Sequence, residues 1–304
     1  MTNNVYHIPA LLEECISGLE INPHGIYVDV TFGGGGHSKA IYSLLSPKGK
    51  LFAFDQDEEA VQNSWTAENF ELILSNFSFV KNHLHYRQIT QVDGIIADLG
   101  VSFHQFDTPE RGFSIRSNDK LDMRMNQKLE LSAYELINEY EEEDLKKMFK
   151  TLGEIPQGAR MANCIVKKRA SKKITSTGDL MDTLSSFTPV FKAHKFFAKV
   201  FQAIRMEVNK ELEHLSSFLT QTEELIKPGG RLVVISYHSL EDRLVKNYLK
   251  SGNVQGELNK DFYGNVEKPF NELTRKPLVP NELEINCNPR ARSAKCRIGV
   301  RNGK

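Results

Sequence analysis

Residues 26–36, IYVDVTFGGGG, read as a short β-strand that runs into four consecutive glycines. Just behind them, residues 38–45 (SKAIYSLL) carry apolar side chains at helical spacing. A strand, a glycine loop and a helix in that order build a nucleotide-type crevice. Gly33, Gly34, Gly35 and Gly36 let the backbone turn sharply and approach a ligand with no Cβ in the way. The alternation continues outward from this stretch. Residues 50–54 (KLFAF) read as a second strand ending at Asp55, 57–67 as a helix, 71–74 (ELIL) as a third strand and 92–97 (VDGIIA) as a fourth ending at Asp98. Four β segments with short crossovers predict an α/β fold, a mainly parallel sheet with both faces covered.

Past Asp98 the pattern changes. Residues 108–195 are rich in charge and helix formers, with apolar groups at Leu131, Tyr134, Leu136 and Ile137, then Leu145, Met148 and Phe149, then Met181, Leu184 and Phe187. The sheet pattern returns with a long amphipathic helix expected over 200–226, a turn at Pro228-Gly229-Gly230, a strand over 231–236 (RLVVIS) and a helix over 240–249. Residues 251–295 read as a polar excursion before a last strand near 296–300. The expected organisation is therefore a sheet domain from 1–107 and 196–304, interrupted by a mainly helical second domain at 108–195.

Composition sets the class. With 304 residues, 40% hydrophobic and 26% charged, the chain fits an ordinary soluble protein of one large or two unequal domains. It has no basic and apolar leader at its start and no run of about 18 apolar residues, so a cytoplasmic protein without a membrane partner is expected. Cys15, Cys164, Cys287 and Cys296 form no ligand pattern, so neither a disulfide framework nor a metal is expected. The net charge is +0, but its distribution is uneven. An acidic run covers 139–144 (EYEEED), while Lys167, Lys168, Arg169, Lys172 and Lys173 cluster. No acid follows Glu284, although Arg290, Arg292, Lys295, Arg297, Arg301 and Lys304 do. These clusters read either as a solvated helix face and a tail, or as surfaces for a polyanion.

The crevice has more than its glycines. It lacks a G-K-[ST] ending and does not fit G-x-G-x-x-G. Asp55 ends the second strand 22 positions after Gly33 (55 minus 33), close to the spacing at which an acid accepts hydrogen bonds from ribose hydroxyls. Asp98 ends the fourth segment and can face the same mouth. These features alone do not separate S-adenosylmethionine from NAD.

The long helix followed by PGGRLVVIS resembles the fifth-strand region of class I methyltransferases. The runs HIPALLEE, DVTFGGGGHS, FDQD, SNFS, DLGVS, ERGFSIR, LDMRM, FQAIRMEVNKEL, PGGRLVVISYHSLEDR and NPRARSAK, in order from His7 to Lys295, resemble the bacterial ribosomal small-subunit methyltransferase H family, also called MraW. The resemblance implies S-adenosylmethionine as cofactor, a Rossmann-like core with an inserted helical domain, and methylation at N4 of a cytidine in the P-site region of 16S rRNA. The partner is then 16S rRNA or the small ribosomal subunit. Oligomeric state stays open, a homodimer included. By the same resemblance Gly35, Gly36 and His37 belong to the loop against the cofactor, Asp55 binds ribose, Phe77 lies beside the adenine, and Asp98 and Gln105 complete the contacts. After DLGVS the chain reads Phe103-His104-Gln105 where the family pattern is nearer Ser-Pro-Gln, which weakens the match at Gln105.

A methyl sulfonium is already activated, so transfer to nitrogen needs in-line alignment more than acid or metal. The amine needs acceptors for its hydrogens as its nitrogen gains positive charge. The Asn or Asp, two prolines and an aromatic that other amino-methyltransferases use are missing at Asp98-Leu99-Gly100-Val101. The acceptor candidates are Asp98, a carbonyl of the following loop, or Ser236 and His238. His37 reads as a backbone-contacting residue, and His238, Glu241, Asp242 and Arg243 as the start of a helix. Arg111, Arg116 and Arg124 read either as phosphate contacts or as partners of Asp107, Glu110 or Asp122.

Overall fold

A computed structural model describes residues 9–189 and 191–303. His7, where the family-like runs start, and Lys304, the last residue of the basic tail, lie outside the described residues. The chain divides into two compact units, one made of 1–100 and 212–304, the other of 101–211.

The first unit begins with α1 (Leu12–Leu19), β1 (Ile26–Asp29), α2 (Gly36–Leu44), β2 (Lys50–Asp55), β3 (Phe70–Leu74), α3 (Val80–Tyr86) and β4 (Val92–Asp98). The second unit holds α4 (Phe103–Asp107), α5 (Ala133–Glu139), α6 (Glu142–Thr151), α7 (Gly158–Ser171), α8 (Thr177–Thr183) and α9 (Ala193–Val208). The chain then returns through α10 (Glu211–Leu225), β5 (Ile226–Ser236), α11 (Ser239–Ser251), β6 (Phe270–Glu272), α12 (Glu282–Cys287) and β7 (Lys295–Arg301). Among the described residues these strands form one seven-stranded sheet in the order β3-β2-β1-β4-β5-β7-β6. β1 to β5 pair in parallel, and β7 runs antiparallel to both β5 and β6.

Strand alternation supplies both faces of the sheet. Val28, Phe54, Ile95 and Val234 point into a core with Leu215, Phe218, Tyr248 and Leu249 of α10 and α11. Their neighbours Tyr27, Ala53, Ile96 and Val233 point the other way, into a core with Leu11, Cys15, Leu19 and Ile41 of the α1 and α2 side. A strand buried on both faces reads as a continuous apolar run, which is why these segments stand out in the sequence. Cys15 and Cys296 are free and buried with their sulfurs 3.9 Å apart, a neighbourhood that their separation along the chain conceals.

Three expectations are corrected. The helix over 57–67 is only a 3-10 turn, Glu58–Asn63. Trp65 instead stacks on Phe70 at 3.8 Å, which draws the chain out of the helix. The helix over 200–226 is two helices, α9 and α10. Lys210 takes a left-handed φ of 49°, and the Asn209 side chain donates to the Met123 and Arg205 carbonyls and accepts from the Met125 N–H. The Pro228-Gly229-Gly230 turn lies inside β5, as a break in its register against β4.

The helical unit is wider than 108–195, running from Val101 to Glu211. Ser102 and Gln105 form a capping box that starts α4, and Val200, Phe201, Ala203 and Ile204 of α9 enter the helical core with Leu136, Phe149, Met161 and Ile165. Arg111 is buried and donates to the Arg124 and Met125 carbonyls, while Arg124 forks onto Asp122. These two arginines hold their own loop, and Arg116 is exposed. No helix among the described residues is long and apolar enough to cross a membrane.

Candidate functional site

The site grows from the end of β1. The Asp29 carboxylate is buried there, with Oδ2 accepting from the Ser38 hydroxyl at 2.6 Å and Oδ1 from the Thr31 N–H at 3.0 Å. One carboxylate thus ties the strand end to the first turn of α2, across the glycines. Gly33 and Gly35 sit at φ +50° and +75°, where a side chain is strained. A Cβ on Gly36 would lie 2.2 Å from Pro9 Cγ, whereas one on Gly34 would meet nothing within 4 Å. Gly35 and Gly36 therefore shape the loop, and Gly34 is its open side.

Asp55 ends β2 and faces this loop. Its Oδ2 accepts from the Gly33 N–H at 2.7 Å and its Oδ1 from the Asp57 N–H at 2.9 Å. Burial pushes its pKa up to about 6, opposed by those two hydrogen bonds and reinforced by the Asp57 and Asp29 charges. Asn63 donates to the Gly33 carbonyl at 3.0 Å, closing the same edge. Phe77 follows β3 on a 3-10 turn, half-buried and edge-on to Phe218 at 5.6 Å. The Asn76 side chain beside it donates to Gln56 Oε1 at 2.8 Å, which fixes Phe77 next to the turn that carries Asp55.

Asp98 ends β4, its backbone N–H donating to Thr31 Oγ1 at 2.6 Å. Its Oδ1 accepts from the Tyr237 hydroxyl at 2.8 Å, and its Oδ2 lies 3.7 Å from His37 Nδ1. Burial raises its pKa to about 7, with the Tyr237 hydrogen bond pulling the other way. His37 Nε2 lies 3.2 Å from the Ala10 carbonyl, an acceptor only, so this nitrogen carries the proton. Burial lowers the His37 pKa to about 4, which leaves the ring neutral and its Nδ1 a lone pair. The His37–Asp98 approach is therefore not an ion pair at neutral pH. With Asp98 ionised it is two acceptors side by side, a receptor for an N–H donor or a cation.

Of the seven residues expected in the site, the strand ends bring six together: Gly35, Gly36, His37, Asp55, Phe77 and Asp98. Gln105 differs. It belongs to the helical unit, is buried, and its Oε1 accepts from the Ser102 N–H at 3.0 Å, so its side chain is occupied in the cap of α4. The alternatives to Asp98 are also engaged elsewhere. Ser236 is buried with its hydroxyl toward the Lys295 carbonyl, and His238 caps α11 with Nε2 3.1 Å from Glu241. Asp29, Thr31, Ser38 and Tyr237 were not singled out in the sequence. Asp29 had a signal, an acid at a strand end before a glycine loop. Tyr237 had a weaker one, lying between the two candidates Ser236 and His238.

The residues present fit S-adenosylmethionine better than a dinucleotide. A pyrophosphate at the loop would face two carboxylates, and the Gly33 N–H is already given to Asp55. A ribose diol, a sulfonium and an ammonium suit such acceptors. The sheet order and these strand-end acids define a class I, Rossmann-like methyltransferase domain. Within that class the chain belongs to the MraW methylase family, which matches residues 4–301. It is 53% identical to the ribosomal RNA small subunit methyltransferase H of Flavobacterium johnsoniae, over 98% of each chain. It is 52% identical to the protein of that name from Flavobacterium psychrophilum, over 95% of this chain and 99% of the other. A solved rRNA methylase from Streptococcus thermophilus is 13% identical with a TM-score of 0.41, covering 96% of this chain and 92% of that one.

Proposed function

We propose that this chain methylates the N4 amine of a cytidine in the P-site region of 16S rRNA, with S-adenosylmethionine as the methyl donor. The observation that carries this reading is the acceptor pair of Asp98 Oδ2 and the neutral His37 Nδ1 beside the glycine loop. The shared name of the relatives supports ribosomal RNA as substrate, and the family-like runs support the cytidine amine. The cofactor supplies an electrophilic methyl group on sulfur. Asp55 holds the ribose hydroxyls, the backbone of Gly33 to Gly36 makes room for the chain of the cofactor, and Phe77 packs beside the adenine. Asp98 stands at the reacting end, as an acceptor for the cofactor's amino group or for the hydrogens of the target amine.

RNA contact falls to exposed cations. In the cluster at the end of α7 Arg169 donates to the Ile137 and Tyr140 carbonyls, whereas Lys167, Lys168, Lys172 and Lys173 are exposed, Lys172 with Asp179 at 3.9 Å. In the tail Ala291 and Ala294 are buried, and Arg290 and Arg292 point outward. Nucleoside mass spectrometry of 16S rRNA from cells lacking the protein tests the function. N4-methylation of a P-site cytidine should disappear, return with the intact gene and fail to return with Asp98→Asn. Unchanged modification in the deletion strain would overturn the reading.

A further inference from the structure

The two oxygens of Asp98 have different neighbours. Oδ1 accepts from the Tyr237 hydroxyl at 2.8 Å, and Oδ2 is left toward His37. Tyr237 is itself held in place. It follows the last residue of β5, and its N–H donates to Glu241 Oε2 at 3.1 Å. Glu241 is buried in the first turn of α11, and its own N–H donates to His238 Nδ1 at 3.4 Å. The ring packs against the apolar core on the α1 side of the sheet. Phenylalanine would fill the same space, so the hydroxyl is there for Asp98.

We propose that Tyr237 is a positioning residue for methyl transfer: its hydroxyl pins Oδ1 of Asp98 and so presents Oδ2, as an acceptor, to the N–H donor that the site binds. This rests on the reading of Asp98 as a contact to cofactor or target amine. The surroundings show why such a donor is needed. From β1 the Asp29 charge, and from α11 the Glu241 charge, both disfavour an anion at Asp98, in addition to burial. Cys15 of α1 and His37 of α2 bring no charge, since burial and the neighbouring Cys296 hold the Cys15 thiol protonated and His37 is neutral. Against these, the Tyr237 hydroxyl favours the carboxylate. Without it, Asp98 keeps its proton to higher pH, and a protonated Oδ2 no longer serves as an anionic acceptor.

The test compares Tyr237→Phe, Asp98→Asn and the unaltered enzyme. S-adenosylmethionine affinity is measured by calorimetry from pH 5.5 to 9, with the rate at saturating RNA and cofactor followed over the same range. Tyr237→Phe should shift the acid limb of both profiles upward by about one pH unit. At pH 6.5 this is a loss of roughly tenfold that vanishes by pH 9. Carboxyl 13C NMR of the cofactor-free proteins should show the Asp98 midpoint moving by the same amount, a readout independent of turnover. An unmoved limb and an unmoved NMR midpoint in Tyr237→Phe, with Asp98→Asn still impaired, would mean that Tyr237 only fills space. Wild-type affinity and rate in Asp98→Asn would instead remove the role of Asp98, and this proposal with it.

Discussion

Asp55 and Asp98 carry their charge against burial, and this couples ligand binding to protons. Both hold a proton to higher pH in the folded chain, to about 6 and about 7, than a free carboxyl with its value of 3.8. The folded chain therefore binds more protons than the unfolded one in this interval. The stabilisation is present below the free-carboxyl value and is lost as pH rises through about 6 for Asp55 and about 7 for Asp98. A cationic ligand that needs ionised acceptors reverses the preference, so S-adenosylmethionine should bind with proton release near pH 6. Calorimetry in two buffers of different ionisation enthalpy detects it, and the difference between buffers should shrink by pH 8. Asp55→Ala should reduce that difference and weaken binding by roughly ten- to a hundredfold, the loss of about 1.5 to 3 kcal/mol for a charge-assisted hydrogen bond. Full affinity in a folded Asp55→Ala protein would remove Asp55 from the ribose.

At the scale of elements, the junction of β1 and α2 separates fold from function glycine by glycine. Gly36→Ala drives a Cβ into Pro9, and the backbone of a helix start cannot easily yield, so a destabilisation of about 1 to 3 kcal/mol is expected. Gly34→Ala meets no protein atom, so its thermal unfolding should barely move while cofactor affinity falls. Unaltered affinity in Gly34→Ala would show that the open side of Gly34 is not where the ligand lies. This junction was legible in the sequence because its causes are local: an apolar run, glycines, and an acid at each strand end. The break between α9 and α10 was not. It depends on Asn209 reaching the Met123 carbonyl, 86 positions away along the chain, which no helical periodicity reports. Gln105 is hard to read for a related reason, since a residue three positions into a helix can serve its own cap as well as a ligand. Tyr237 escaped notice because its partner, Asp98, lies on another strand.

For the whole molecule the formal charge of zero hides where an RNA could be held. Counting cations in the sequence overstates the grip. Arg297 is buried against Asp242 at 2.6 Å, Lys295 lies near the same acid, and Arg301 donates to the Glu223 carbonyl. These groups act as structural ties. Lys167 and Lys168 in the helical unit, and Arg290 and Arg292 in the sheet unit, are exposed, as are Lys172 and Lys173. On the proposed reading a cytidine must be lifted out of its stack, which costs a few kcal/mol that backbone contacts elsewhere offset. Each phosphate neutralised by a lysine or arginine adds about 0.7 to 0.9 to the magnitude of the slope of log affinity against log salt. Replacing Lys167 and Lys168 with Gln, and separately Arg290 and Arg292, should therefore weaken RNA binding and flatten that slope in each protein with S-adenosylmethionine affinity nearly unchanged, and the lysine variant should unfold near the wild-type temperature. Arg169→Gln is the contrasting case. Its guanidinium serves the Ile137 and Tyr140 carbonyls, so it should lower the unfolding temperature. Filter binding of the small-subunit RNA at several salt concentrations reads the slopes. If both double variants keep the wild-type slope, the phosphates are held by other groups, and these four cations are no more than solvated surface.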